Sequence, residues 1–445
     1  MANAVAITDK AYRRVIRAWT MYDWANSAFA TTIMAVVLPT FFSTVAGATL
    51  SPDPDRARVL ATSYWGYANS IGMLLVGFAA PILGALADHS GAKKRMLGIF
   101  AAVGILATAL LVFVSTGDWL MAIAFYLLGH IGFSGSTIFY DSLLPHVARR
   151  GDIDQVSTRG YAMGYLGGGL LLAINLAWIL SPQTFFLRDA EMASRLSFLS
   201  VAVWWALFSI PLFRRVPEPP AVREAGERTS LRGTFDRLRH TFHDIRRYRE
   251  LAKFLVAYWL YNDGIGTIIT MAAIYGAELG IPQEHLIGAI LMVQFVGVPF
   301  AILFGRWSKK LGTKRAILAA LVVYALISVL GYFVTQALHF WILAFAVGTV
   351  QGGSQALSRS LYGAMTPKAK SAEFFGFYDV SSKFAGIIGP ALFGFVGQAT
   401  GSTRYAILAL IPLFVIGGIL LLFVREREGI AVAHGENVEA GLARV

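Results

Sequence analysis

Long apolar runs, interrupted by short polar stretches, set the pattern of this chain. A run of about twenty apolar residues is long enough to cross roughly 30 Å of hydrocarbon as a helix. Such runs occur near 19–46, 60–86, 96–115, 119–145, 158–181 and 196–213, then, after a polar interval, near 254–278, 284–306, 315–335, 339–364, 372–398 and 403–424. An outer-membrane barrel would instead show ~10-residue segments of strict alternation. The pattern therefore predicts an all-α membrane protein of twelve transmembrane helices.

Composition supports the same class. Of 445 residues, 56% are hydrophobic and 14% charged, whereas a soluble chain carries about a quarter charged residues. Arg13, Arg14 and Arg17 precede the first span, but that span is too long for a signal-peptide core and no small-residue cleavage site closes it. It is expected to be a retained helix. Cysteine is absent, which excludes disulfides and thiolate chemistry.

Of 38 Lys and Arg, five (Arg56, Arg58, Arg188, Arg195, Arg404) fall in odd-numbered loops and two (Arg359, Lys383) inside spans. The remaining 31 lie in the termini and even-numbered loops. This bias predicts cytoplasmic termini and a multi-pass protein of the inner or plasma membrane. It also accounts for the net charge of +12 through an anionic lipid leaflet, with no nucleic-acid partner.

Residues 214–253 divide the chain into an N-terminal half, 1–213, and a C-terminal half, 254–445, which ends in a short cytoplasmic tail. The interval opens with Pro217, Pro219 and Pro220. Leu231, Phe235, Leu238, Phe242 and Ile245 then recur at helical spacing among arginines, predicting a basic amphipathic helix on the membrane surface. The halves share a repeat. After span two stands Gly84-Ala-Leu-Ala-Asp88-His-Ser-Gly91-Ala-Lys93-Lys94-Arg95, and after span eight Gly305-Arg-Trp-Ser308-Lys309-Lys310-Leu-Gly312-Thr-Lys314-Arg315.

The first of these loops resembles the Gly-x-x-x-Asp-Arg-x-Gly-Arg-Arg signature of the major facilitator superfamily. The resemblance implies two pseudo-symmetric six-helix bundles, the major facilitator fold, and a monomer. It implies a gate of Gly84, Asp88, Gly91, Arg95 and Asp141, in which Asp88 faces the positive end of a helix from the other half and Arg95 holds the carboxylate. His89 stands where the signature has Arg, and Ser308 replaces the acid in the second copy. Tyr22-Asp23-Trp24-Ala25-Asn26-Ser27-Ala28 in span one, and Phe139-Tyr140-Asp141-Ser142-Leu143-Leu144-Pro145 ending span four, resemble the vacuole-effluxer branch of that superfamily. Fungal members of the branch release amino acids from the vacuole.

Ionisable groups at membrane depth mark candidate pathways. Asp263 and His130 count to the midplane of spans seven and four, and Lys383 to a similar depth in span eleven. Asp23, Arg359 and Asp379 fall in the cytoplasmic third of their spans. Tyr22, Asp23 and Asn26 in span one are matched by Tyr261, Asn262 and Asp263 in span seven. Asp23 or Asp263 is a candidate proton site, or else a structural hydrogen-bond acceptor. Gln351 and Gln355 extend a polar stripe to Arg359, which either binds a carboxylate or snorkels to the interface. Asp379 and Lys383 form an i,i+4 pair or contact substrate, and His130 is a functional group or a helix-packing one.

These features predict a secondary transporter moving a small solute, such as an amino acid or similar zwitterion, by alternating access. The expected partners are the solute, protons as candidate coupling ion, and the bilayer. No cofactor is implied, and no nucleotide-binding or His-Glu-x-x-His motif occurs. An exporter of lipophilic compounds, with Arg359 and Lys383 turned away from the cavity, and a non-transporting sensor of the same fold are the competing readings.

Overall fold

The computed structural model describes residues 9–149, 151–220, 247–384 and 386–442, and every element among them is helical. Among the described residues, nine helices are long and apolar enough to cross a membrane, and they match expected spans one to six, eight, nine and twelve. Spans seven and ten are the helices Arg249–Glu278 and Ala337–Ala364. Their length suffices, and their polar side chains dilute their apolar character. Span eleven departs from the expected single helix, forming two pieces, Ser371–Phe384 and Ile388–Thr400. Pro390 explains the break: it brings no N–H to the ladder, and its ring crowds the carbonyl four residues back. The expected amphipathic helix over 231–245 lies outside the described residues.

Both chain ends sit on one face. Arg149, after span four, pairs with Asp9 at 2.8 Å. The Lys94 ammonium after span three's start donates to the Val216 carbonyl after span six at 2.8 Å. Lys309 after span eight approaches Asp152 before span five at 3.7 Å. This terminal face thus gathers the even-numbered loops. The C-terminal tail, expected to be merely short, contains a helix, Glu426–Glu439, docked on the same face. Tyr248 donates to Glu436 at 2.7 Å, and the Lys368 N–H donates to Asn437 at 2.8 Å.

Each half has its own apolar core. Within the first, the glycines of span five lie against span one: a Cβ on Gly164 would stand 2.6 Å from Ser27 Oγ, and one on Gly167 2.5 Å from the Trp24 carbonyl. Small residues there let two backbones approach closely.

The halves meet where span two crosses span eleven and span five crosses span eight. A Cβ on Gly84 would lie 2.2 Å from the Ala372 carbonyl oxygen, and one on Gly376 2.7 Å from that of Ala80. At the second crossing a Cβ on Gly305 would lie 2.3 Å from Thr158 Oγ1, and Gln155 donates to the Gly305 carbonyl at 2.9 Å. The first glycine of each repeated loop therefore occupies an inter-half crossing. The second glycine of each, Gly91 at φ 64° and Gly312 at φ 88°, turns the chain in the left-handed region that glycine enters without penalty.

Gly84→Ala is expected to lower stability by about 1–3 kcal/mol through overpacking against an unyielding backbone. Gly66→Ala, where a Cβ meets nothing within 4 Å, should leave the thermal midpoint unchanged or slightly raised. Thermal unfolding of the detergent-purified variants checks the contrast.

Candidate functional site

Arg359 sits on span ten, buried at 2% exposure, with its guanidinium reaching into the first half. Nη1 donates to Asp141 Oδ1 of span four at 2.8 Å, and Nη2 approaches Asp23 Oδ2 of span one at 3.3 Å. Nε donates to Ser157 Oγ, and Nη2 to the Ser157 carbonyl, each at 3.0 Å. Tyr140 donates its hydroxyl to Asp23 Oδ2 at 2.8 Å. The cation lies over the ring of Tyr161 at 4.4 Å and near that of Trp19 at 5.1 Å. Three helices of one half therefore converge on a single side chain of the other. The cluster sets two carboxyl groups around one guanidinium. A buried pair stays favourable only while such hydrogen bonds satisfy its remaining donors.

The other expected residues fall around this centre in different ways. Tyr22 and Asn26 are buried on span one, and the Tyr22 ring packs against Tyr140 at 5.0 Å. Gln355 accepts from Tyr165 of span five at 3.1 Å, a second link between halves, and Gln351 is buried one turn away. Asp379 lies within electrostatic reach of Asp141. The side chain of Lys383 lies outside the described residues, and with it the expected Asp379–Lys383 pair. His130 is remote from Arg359; it packs inside the first half, with Nδ1 2.8 Å from where a Cβ on Gly72 would stand.

The matched trios of spans one and seven do not play matched parts. Asp23 reaches across to the second half. Tyr261 bonds Ser358 at 2.6 Å within its own half, Asn262 is half-buried, and Asp263 accepts from the Gly389 N–H at 3.0 Å, again within its own half.

A second polar cluster lies at the terminal face. Asp88 accepts from the N–H groups of Ala372 at 3.2 Å and Glu373 at 2.8 Å, the open first turn of the helix Ser371–Phe384. Its cationic partner is Lys93, at 2.8 Å, rather than the expected Arg95, which is exposed. The left-handed turn at Gly91 starts the next helix at Lys93, so Lys93 turns back toward Asp88. Arg95, two residues on, points to another side of that helix. Lys93 also donates to Ser371 Oγ at 2.7 Å and to the Lys368 carbonyl at 3.1 Å, and lies 3.0 Å from His146 Nε2. Asp141, expected in the gate, belongs to the Arg359 cluster.

A family described as "Vacuole effluxer Atg22 like" matches residues 11–434. The chain belongs to this family. Its relatives include the uncharacterized MFS-type transporter YxiO of Bacillus subtilis, 38% identical, with 96% of this chain and 99% of YxiO covered. Autophagy-related protein 22-2 of Sclerotinia sclerotiorum is 28% identical over 62% of this chain, a stretch spanning 44% of the fungal protein. The fold matches that of the proton:xylose symporter XylE, with a TM-score of 0.71, 14% identity, and coverage of 94% of this chain and 97% of that one. This Atg22-like chain is therefore a membrane transporter of the major facilitator type.

In this Atg22-like protein several partners carry no signal in the sequence. Ser157 is one serine among many, and Lys93 is one of three adjacent cations. Asp154, at the start of span five, accepts from Ser360 at 2.6 Å and Thr313 at 2.7 Å. Tyr140 stands next to Asp141 in the motif that ends span four.

Arg359→Ala, which leaves two buried carboxylates without their cation, is expected to cost about 3–5 kcal/mol. Adding Asp23→Asn and Asp141→Asn should recover much of the loss. Thermal midpoints of the single and triple variants test this, and equal midpoints would show that the cluster is not electrostatically coupled.

Proposed function

We propose that the protein is a secondary transporter that carries a small zwitterion, an amino acid or a close relative, by alternating access with protons as coupling ion. In this reading it spans the membrane twelve times as a monomer, with two six-helix halves, 1–213 and 254–445, joined by the interval 214–253. The terminal face is cytoplasmic, in the inner or plasma membrane, because Lys and Arg crowd its loops.

One observation carries the reading. Arg359 of the second half is clamped by Asp23 and Asp141 of the first at 3.3 and 2.8 Å, away from water. A substrate carboxylate can compete for the guanidinium, and a substrate ammonium can compensate the carboxylate so released. A zwitterion performs both exchanges in one molecule, and by doing so loosens a contact that holds the halves together. Arg359 faces this centre, which favours the zwitterion over a lipophilic cargo. Asp23 and Asp263 are the carboxylates available to carry a coupled proton.

Asp88 and Lys93 form the companion latch. Their charges and the helix N-terminus of span eleven hold the terminal side shut, and opening that side requires each to find another partner. Asp88→Asn should cripple transport while leaving expression and fold intact. Lys93→Ala should do the same, and Arg95→Ala should stay near wild type. Initial rates in proteoliposomes measure all three, and wild-type rates in Asp88→Asn would remove the latch.

The test of substrate class is thermal stability of the purified protein against amino acids, sugars, nucleosides, organic anions and lipophilic cations. A ligand bound by the folded state alone raises the midpoint with concentration. The expected outcome is a rise confined to amino acids and lost in Arg359→Ala. A rise confined to another class would refute the zwitterion.

A further inference from the structure

The terminal latch contains a third side chain that lies outside the gate signature. His146 stands in the short helix Leu144–Val147, which follows span four. Its Nε2 lies 3.0 Å from Lys93 Nζ, 3.1 Å from the Lys368 carbonyl oxygen and 3.2 Å from Ser371 Oγ. Asp88 ends span two and Lys93 starts span three. Three helix ends of the first half therefore grip one stretch of the second, residues 368–373, which leads into span eleven.

The donors and acceptors fix the state of the ring. Lys93 is buried. Besides His146, its ammonium faces Asp88 Oδ1 at 2.8 Å, Ser371 Oγ at 2.7 Å and the Lys368 carbonyl at 3.1 Å. An ammonium has only N–H groups to offer, so Nε2 must turn a lone pair toward it. A neutral ring with its proton on Nδ1 does so, and the bonding assigns that tautomer. A protonated ring would point an N–H at an ammonium 3.0 Å away. The acceptors left to it, the Lys368 carbonyl and the Ser371 hydroxyl, are those that Lys93 already uses.

Two cations act on the ring, Lys93 and Lys368. The helix Leu144–Val147 packs on spans one, four, five and ten. On span one, Asp9 pairs with Arg149 and Tyr12 donates to Asp152, while Lys10, Arg13, Arg14 and Arg17 are exposed. On spans four and ten, Asp141 and Arg359 hold each other, Tyr140 bonds Asp23, and Tyr362 donates to the Phe374 carbonyl. On span five, Asp154 accepts from Ser360 and Thr313, Tyr161 lies against Arg359, and Arg159 is exposed. At the crossing itself, Lys370 donates to Tyr248, and His89 and Glu373 are buried as Asp88 is.

We propose that His146 is a positioning residue of the terminal latch: its neutral ring holds the Lys93 ammonium on Asp88, and a proton on the ring expels that ammonium and lets the terminal side open. Once protonated, Nε2 takes the carbonyl or hydroxyl that Lys93 held, and the like charges repel. Asp88 then keeps only the two N–H groups of span eleven. As the halves part, the ring is hydrated, and a hydrated imidazole titrates at about 6.5. The open form thus binds the proton more readily than the closed one, and acid on the terminal side shifts the equilibrium toward opening. The inference rests on the latch reading above and names the group that sets its pH response.

The experiment uses the natural absence of cysteine. Spin labels go on cysteines introduced at Arg215 and Lys310, exposed residues at the terminal ends of spans six and eight, one in each half. Pulsed electron resonance on the full chain in lipid nanodiscs then reads the distance across the terminal face from about pH 5 to about pH 8. The expected result is a longer distance in acid, the ratio of open to closed form rising by up to about tenfold per pH unit below about 6.5, the slope of one proton. His146→Gln, whose amide oxygen accepts from Lys93 and takes no proton, should keep the short distance throughout. A wild-type distance that ignores pH overturns the proposal without relying on any variant. A pH response retained in His146→Gln overturns it too, since the proton then belongs to another group such as His89 or Glu373. Lys93→Ala, expected to show the long distance at every pH, separates the two readings. A short distance in that variant at alkaline pH removes the latch and this inference with it. A long one, beside a wild type indifferent to pH, leaves the latch standing and removes His146 from it.

Discussion

The guanidinium of Arg359 constrains everything around it. A charge buried in a low-dielectric bundle is tolerated only with counter-charge and with its N–H groups satisfied, and every one of the partners that do this belongs to the opposite half. Asp23, Asp141 and Ser157 stand at 2.8–3.3 Å from it. The two halves cannot part at this level without rehydrating or re-pairing these groups.

Around that centre the pseudo-symmetry of the chain is kept in the backbone and abandoned in the charges. Gly84 and Gly305 both permit close crossing of the halves, and Gly91 and Gly312 both make the following turn. At the first crossing the charge comes from the repeated loop itself, through Asp88 and Lys93. At the second the loop offers Ser308, and the acid comes from across the interface: Asp154 of span five, bonded by Thr313 and Ser360. Lys309 adds a longer contact to Asp152 there, at 3.7 Å.

Much of the fold was legible because membrane crossing imposes a length and an apolar composition that few other constraints mimic. Nine expected spans were of that kind. Helices also occupy the expected spans seven, ten and, in two pieces, eleven, where polar residues weaken the signal, and one of those residues, Arg359, is the hub of the centre. Asp23 and Arg359 could be singled out because an ionisable group at that depth is anomalous, and Asp141 because it stands in the motif that ends span four. Ser157, Tyr140 and Lys93 could not, since a serine, a tyrosine or one of three neighbouring cations is unremarkable until a partner is placed beside it. The break in span eleven had its cause written in Gly386, Gly389 and Pro390. In sequence those residues also fit a small-residue packing face, and periodicity does not distinguish a kinked helix from a broken one. The C-terminal helix has no apolar stripe to announce it. It forms because Tyr248 and Lys368 offer Glu436 and Asn437 a docking place, and most short helices depend on such tertiary support.

The equivalent aspartates of spans one and seven show how a duplicated bundle loses its symmetry. Asp23 meets the guanidinium of the other half at 3.3 Å. Asp263 accepts the Gly389 N–H within its own half, and among the described residues its Oδ1 has no hydrogen-bond partner. A strictly symmetric pair would respond alike in both halves. Unequal surroundings let two matched carboxylates answer to different events.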